Sequence, residues 1–126
     1  MTHTSLIGSM SGGPAYYRDA AVRGNLFQRQ YKMTTEDGTA VDLTGYNVRW
    51  RGVYGDYLIE KSTEVPGELS MTTPTNGTVL LTLVPDETRL IPNEENMKYE
   101  LEIYAGTSQF TALWGDLVGK GGVTRD

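Results

Sequence analysis

The chain has 126 residues, carries a formal charge of −5 and contains no cysteine. This length fits one domain with a single core, and the lack of cysteine excludes a disulfide framework, a thiolate nucleophile and a thiolate metal site. The acidic balance and scattered basic residues argue against a nucleic-acid partner, and the short apolar stretches argue against a membrane span.

The first 25 residues differ in composition from the rest of the chain. Residues 1–15 are rich in Ser, Thr and Gly and end in a Ser-Gly-Gly-Pro run at 11–14, so they bury too little apolar surface to fold alone. We interpret residues 1–25 as an extended arm that docks on another protein. The candidate partner-binding residues are the apolar and aromatic ones, which concentrate binding energy at interfaces: Leu6, Ile7, Met10, Tyr16 and Tyr17.

Residues 26–119 show the alternation of apolar and polar residues that is typical of half-buried strands. In the clearest case, Met97, Tyr99, Leu101 and Ile103 fall on one face, and Trp50 is the best single core candidate. Predicted strands cover residues 26–33, 46–51, 57–60, 68–72, 78–84, 97–104 and 110–118.

Turn signals separate these strands. Asn76-Gly77 predicts a tight turn, because both residues tolerate positive φ angles. Residues 86–91 predict one helical turn at most. The fold class that follows is all-β: an antiparallel two-sheet β-sandwich, immunoglobulin-like, with about seven to eight strands, an N-terminal arm and a C-terminal tail at residues 120–126.

The sequence offers no catalytic constellation. His3 is the one histidine and lies in the arm, where nothing positions it against a nucleophile or a metal. The acidic pairs at 86–87 and 94–95 fall in polar loops, where adjacent carboxylates are usually solvated. We therefore predict no catalytic residue, no metal site and no cofactor, and we expect that the protein is not an enzyme.

One loop could bind a glycan. Flat aromatic rings beside a carboxylate can stack on a sugar and hydrogen-bond its hydroxyl groups, and Tyr54, Asp56 and Tyr57 supply that combination. The alternative is that these tyrosines only pack at a strand edge. A carbohydrate-binding module is accordingly the second functional hypothesis.

Charged residues also recur on the polar faces of two strands. Arg49 and Arg51 share one face, as Glu100 and Glu102 do, so the two pairs would meet if the strands were neighbours. Exposed pairs of this kind contribute about 0–1 kcal/mol and help to set strand register.

Several short motifs resemble those of small β-sandwich structural proteins in tailed bacteriophage virions, including the amino-terminal domains of baseplate and tail-fibre proteins. The resemblance covers about residues 26–125. It consists of an Asp-Leu-Thr-Gly-Tyr segment, an alternating apolar strand, a Glu-Thr helical turn, a Tyr-x-Leu-x-Ile strand and a glycine-bearing closing strand that exits through Val-Thr-Arg, found here at residues 42–46, 77–83, 87–88, 99–103 and 114–125.

This resemblance implies a non-enzymatic virion component at the tail, baseplate or neck, with a capsid decoration or cement protein as a close second. The implied partners are other virion structural proteins and further copies of the chain in the assembled particle. The implied location is the virion, after synthesis in the bacterial host cytoplasm. The opening residues also lack the basic and long apolar regions of a secretion signal, in keeping with that expectation.

Overall fold

The alternating segments form strands in the computed structural model, which describes residues 2–9, 15–35 and 37–121, with side chains from residue 16 onward. The strands are β1 Thr2–Ser9, β2 Ala15–Val22, β3 Phe27–Thr34, β4 Asn47–Tyr54, β5 Tyr57–Ser62, β6 Leu69–Ser70, β7 Thr78–Leu83, β8 Asn96–Ala105 and β9 Ser108–Lys120. A 3-10 turn covers Pro74–Asn76, and one helical turn, α1, covers Pro85–Thr88.

The strands pair into two sheets, ordered β1-β3-β7-β6 and β2-β9-β8-β4-β5. If β1, β3, β7 and β6 are taken as strands A, B, E and D, and β4, β8 and β9 as C, F and G, this is the strand order of an immunoglobulin-like sandwich. The pairs β1–β3 and β2–β9, at one edge of each sheet, are parallel, whereas the other pairs are antiparallel. The predicted fold class is thereby confirmed, with the two parallel edges as an addition.

The N-terminal segment is the main difference from the sequence analysis. The sequence predicts an arm at residues 1–25 outside a sandwich that begins at residue 26. Instead, β1 and β2 are edge strands of the two sheets, so the sandwich includes residues 2–9 and 15–22. The physical reason is that an otherwise exposed sheet edge offers backbone partners to a segment too polar to form a core of its own.

The core lies between the two inner sheet faces. Met97, Leu101 and Ile103 on β8 are at most 2% exposed, and Trp50 on β4 is fully buried. The Trp50 indole stacks on the Tyr99 ring, with 5.3 Å between the ring centroids. Val79, Leu81 and Leu83 on β7 are also fully buried, as the alternation predicted.

Two ion pairs lie at the open sides of the sandwich. On one side, Arg29 Nη1 of β3 lies 3.0 Å from Asp19 Oδ2 of β2, and the guanidinium lies 4.5 Å from the centre of the Tyr17 ring. On the other side, Lys61 Nζ of β5 lies 2.5 Å from Glu87 Oε2 of α1. The first contact joins the two sheets, and the second joins β5 to α1.

The turn at residues 76–77 differs in form from the predicted tight hairpin turn. Gly77 has φ +66° and ends the 3-10 turn, and its backbone N–H donates to the Pro74 carbonyl oxygen. A Cβ atom at this position would lie 2.6 Å from the Met33 carbonyl oxygen, so the site requires glycine for both conformation and space.

Candidate functional site

The outer face of the five-stranded sheet carries the most unusual surface among the described residues. One row of side chains crosses all five strands, because the register places each residue opposite the next: Tyr16, Trp114, Glu100, Arg51 and Glu60. A second row, one step along the strands, contains Arg18, Asp116, Lys98, Val53 and Leu58. We call this surface the outer face.

Two aromatic side chains stand at one end of the first row. Tyr16 is 58% exposed and Trp114 is 52% exposed. Their rings meet edge to face, with centroids 6.4 Å apart and planes at 88°. Exposed aromatic rings that are held in a fixed orientation are favourable contacts for a ligand or a partner, because little entropy is lost on binding.

The Tyr16 ring is anchored through its hydroxyl group, which donates a hydrogen bond to the Asp116 carboxylate. Asp116 also lies 2.8 Å from Lys98 Nζ. The hydrogen bonds from Lys98 and then Tyr16 hold the pKa of the Asp116 carboxyl below its usual value. The same carboxylate raises the pKa of the Tyr16 hydroxyl, which remains a donor at neutral pH.

A depression of about 370 Å³ lies in the outer face between Trp114 on one side and Arg51 and Val53 on the other. Glu100 stands between Trp114 and Arg51 in the row and is half-buried. Arg51 donates through Nε to Glu60 Oε2 at 3.0 Å. Within the described residues, the Glu100 side chain has no hydrogen bond or ion pair, so a charged acceptor is available in the depression.

The five partner-binding candidates are distributed over different environments. Tyr16 lies on the outer face, while Tyr17 is half-buried against Arg29. Leu6 and Ile7 lie in β1, where Leu6 is opposite Lys32, and their side chains lie outside the described residues, as does all of Met10. Tyr16 is therefore the candidate that the structure places on an accessible surface.

The three glycan candidates lie at the β4–β5 hairpin. Tyr54 and Tyr57 are opposite each other, and Asp56 is an exposed turn residue. The Tyr54 hydroxyl donates to Glu95 Oε1 at 2.8 Å, which raises the pKa of that hydroxyl. Tyr57 is 52% exposed. The hairpin therefore leaves the Tyr57 ring exposed.

The loop carboxylates and the predicted cross-strand pair have structural partners. Asp86 and Glu94 pair with Arg89 and Lys120 at 2.5 Å and 3.0 Å. The two arginines lie opposite the two glutamates because β4 and β8 are neighbours, and Arg49 Nη2 lies 2.8 Å from Glu102 Oε1. Across the described part of the chain, no group of three His, Cys, Asp or Glu residues could hold a metal ion.

Sequence reasoning missed the outer face. The available signal was in the last strand. Leu113 and Leu117 are buried, and alternation places Trp114 on the opposite face, which is exposed to solvent. An exposed tryptophan on that face is a stronger indication of a binding surface than tyrosines at a turn.

No helix among the described residues has the length and apolar character that crossing a bilayer requires.

The structure defines a nine-stranded immunoglobulin-like β-sandwich over the described residues. Neither a family model nor a curated protein matches the sequence. Among solved structures, the chain is similar to the N-terminal domain of phage TP901-1 ORF48, with a TM-score of 0.61 and 9% identity over 96% of this chain and 100% of that chain. At this identity the likeness shows a shared fold.

Proposed function

We propose that this protein is a non-enzymatic structural component of a tailed-phage virion. The observation that carries the proposal is the fold match, which spans the whole of a phage protein domain and nearly all of this chain. The short sequence motifs that resemble virion sandwich proteins support the same conclusion independently. In this proposal the protein is an adaptor at the tail, baseplate or neck that contacts other virion proteins and further copies of itself.

The proposed attachment region is the N-terminal segment, residues 1–25. Because β1 and β2 are the outermost strands of the two sheets, their outer backbone edges can accept a strand from a neighbouring protein. Tyr16 adds an exposed aromatic anchor beside the β2 edge. This arrangement supports attachment through sheet edges rather than through a free arm.

The test of the virion role is the protein content of purified particles. Quantitative mass spectrometry should detect the chain in particles at a fixed copy number. Tens of copies would support the tail, baseplate or neck, and hundreds would support a capsid decoration or cement role. Absence from purified particles would overturn the proposal.

The attachment region is tested by incorporation of variants into particles. Tyr16→Ala should lower the copy number per particle, since it removes the exposed anchor next to the β2 edge. Tyr57→Ala is the matched control, because Tyr57 is similarly exposed but lies on β5, at the opposite edge of the same sheet. Equal incorporation of both variants and the wild type would contradict attachment through Tyr16.

A further inference from the structure

The depression in the outer face combines three kinds of chemical group in one row. The Trp114 ring supplies a flat apolar surface, Glu100 supplies a half-buried carboxylate acceptor, and Arg51 supplies guanidinium donors. Residues directly opposite each other in antiparallel strands have Cβ atoms about 5 Å apart, so these three groups are close enough to contact one small ligand.

The hydrogen-bonding capacity of the depression is only partly used within the described residues. Arg51 engages Glu60 through Nε, which leaves its terminal Nη groups as donors. The Glu100 carboxylate accepts no hydrogen bond there. A volume of about 370 Å³ lies within the range of small-ligand sites, about 300–1,000 Å³.

This combination matches the chemistry of a saccharide. A sugar ring presents an apolar C–H face, which stacks on an indole, and hydroxyl groups that both donate and accept hydrogen bonds. A hydroxyl group can donate to a carboxylate and accept from a guanidinium at the same time. Glu100 and Arg51 are opposite each other and would serve adjacent hydroxyl groups of one ring.

A protein partner fits the middle of the outer face, around Glu100, less well. The centres of protein interfaces are depleted of charged residues. Here the two apolar side chains beside β8 each lie opposite a charged one, since Trp114 faces Glu100 and Val53 faces Lys98. Burial beneath a protein would desolvate these charges, whereas a saccharide replaces their water with hydroxyl groups.

We propose that the outer face binds a saccharide, with Trp114 stacking on one ring and Glu100 and Arg51 hydrogen-bonding its hydroxyl groups. This site lies on β9, β8 and β4, in the middle of the sheet, and is distinct from the hairpin that carries Tyr54, Asp56 and Tyr57. The inference does not depend on the virion role. It assigns the protein a ligand class that its fold alone does not specify.

The test uses soluble tetrasaccharides of glucose, galactose, N-acetylglucosamine and rhamnose at millimolar concentration. The chain contains two tryptophans, and Trp50 is fully buried, so a saturable change in tryptophan fluorescence reports contact at Trp114. At least one tetrasaccharide should produce that change. Isothermal titration calorimetry then gives the affinity without relying on the fluorescent residue.

Three variants locate the site. Trp114→Ala and Glu100→Gln should each weaken calorimetric affinity about tenfold, which corresponds to about 1.4 kcal/mol. Trp114→Phe should retain most of the affinity while losing the fluorescence change, because it keeps a flat ring and preserves the fold. Tyr57→Ala is the matched control and should bind like the wild type.

Three results would overturn the inference. One is the absence of binding by all four tetrasaccharides. Another is binding that Tyr57→Ala weakens and Trp114→Ala does not, which would place the site at the hairpin. The third is concentration-dependent dimerisation that Trp114→Ala, still folded, removes in the absence of any saccharide binding, which would make the outer face a protein interface.

Discussion

The two open sides of the sandwich are both closed by a buried cation, but the surroundings of the two cations differ. On the β2 side, the Arg29 side chain is 4% exposed and its partner Asp19 is 15% exposed. On the α1 side, the Lys61 side chain is 9% exposed, while Glu87 is 24% exposed and a second carboxylate, Glu68, lies 4.0 Å away and is 32% exposed. Water therefore reaches the partners of Lys61 more easily than the partner of Arg29.

The difference shows how an edge strand of mostly polar sequence is held in place. The planar guanidinium of Arg29 makes an ion pair and covers the Tyr17 ring, so it contacts β2 at two successive inward positions. Such a buried pair gains little net stability over apolar packing, but losing one partner is costly. The Arg29–Asp19 pair thus fixes the position of β2. The more solvent-accessible Lys61–Glu87 pair constrains α1 less tightly.

The largest effect is expected from Arg29→Ala. This change leaves the Asp19 carboxylate in a mostly buried position without its cation, so the free energy of unfolding should fall by about 3–5 kcal/mol. Urea denaturation measures it. Adding Asp19→Asn to the variant should restore part of the loss, because the unpaired charge is removed. A loss below about 1 kcal/mol would show that the pair is not enclosed as the structure indicates.

Gly115→Ala tests the close approach of the β2 and β9 backbones on the same side of the sandwich. A Cβ atom at Gly115 would lie 1.8 Å from the Tyr17 carbonyl oxygen, so β2 must move away from β9. The expected loss of stability is about 1–3 kcal/mol. Hydrogen exchange should accelerate at the amides of residues 15–22 more than at those of β4 and β8, which are the internal control. Unchanged exchange in β2 would contradict this close approach.

A smaller effect is expected from Lys61→Met on the opposite side. Methionine keeps much of the side-chain length and packing, and the carboxylates of Glu87 and Glu68 retain access to water. The free energy of unfolding should therefore fall by about 1 kcal/mol or less. A loss as large as that of Arg29→Ala, measured under the same conditions, would remove the distinction between the two sides.

The smallest effect concerns the outer contact of β2, where Tyr16 and Lys98 hydrogen-bond the Asp116 carboxylate. The pKa of this group is lower in the folded protein, so its contribution to stability is present above the unfolded pKa of about 3.9 and is lost as the pH falls through the folded pKa. Between pH 6 and pH 3, the free energy of unfolding should decrease more steeply for the wild type than for Asp116→Asn.

Other acidic groups set the background of that measurement. Hydrogen bonds from Thr35, and then from Thr39, lower the pKa of Asp37 to about 2. Asp37 titrates in both the wild type and Asp116→Asn, so its contribution to the pH dependence of the free energy of unfolding cancels in the comparison. Parallel pH profiles for the two proteins would show that the Asp116 contacts on the outer face do not stabilise the folded state.

Most of the fold was predictable from local pattern. The seven strands predicted from residue 26 onward all form, and the buried faces of β7 and β8 match the alternation. The alternation of apolar and polar residues is a local property of each strand, and it is the same whichever strands become neighbours in the two sheets. The sequence allowed Arg49 and Glu102 to pair only if their strands were neighbours, and β4 and β8 are neighbours in the structure.

The candidate site was much less predictable. The sequence pointed to Tyr54, Asp56 and Tyr57 because they are adjacent along the chain, yet the Tyr54 hydroxyl is engaged by Glu95. Trp114, Glu100 and Arg51 come from three strands and meet only because β9, β8 and β4 are neighbours in one register. Alternation indicates the face on which a residue lies, but it does not identify the neighbouring strand.

The amino-acid sequence by itself determined the strands from residue 26 onward, their buried faces and the single-core all-β class, since these follow from the spacing of apolar side chains and turn residues. The tertiary structure decided the parallel addition of β1 and β2 and the assembly of the outer face. Both depend on backbone hydrogen bonds at sheet edges and on pairing between distant segments, which the local pattern does not encode. The role of the N-terminal segment is therefore a property of the folded sandwich.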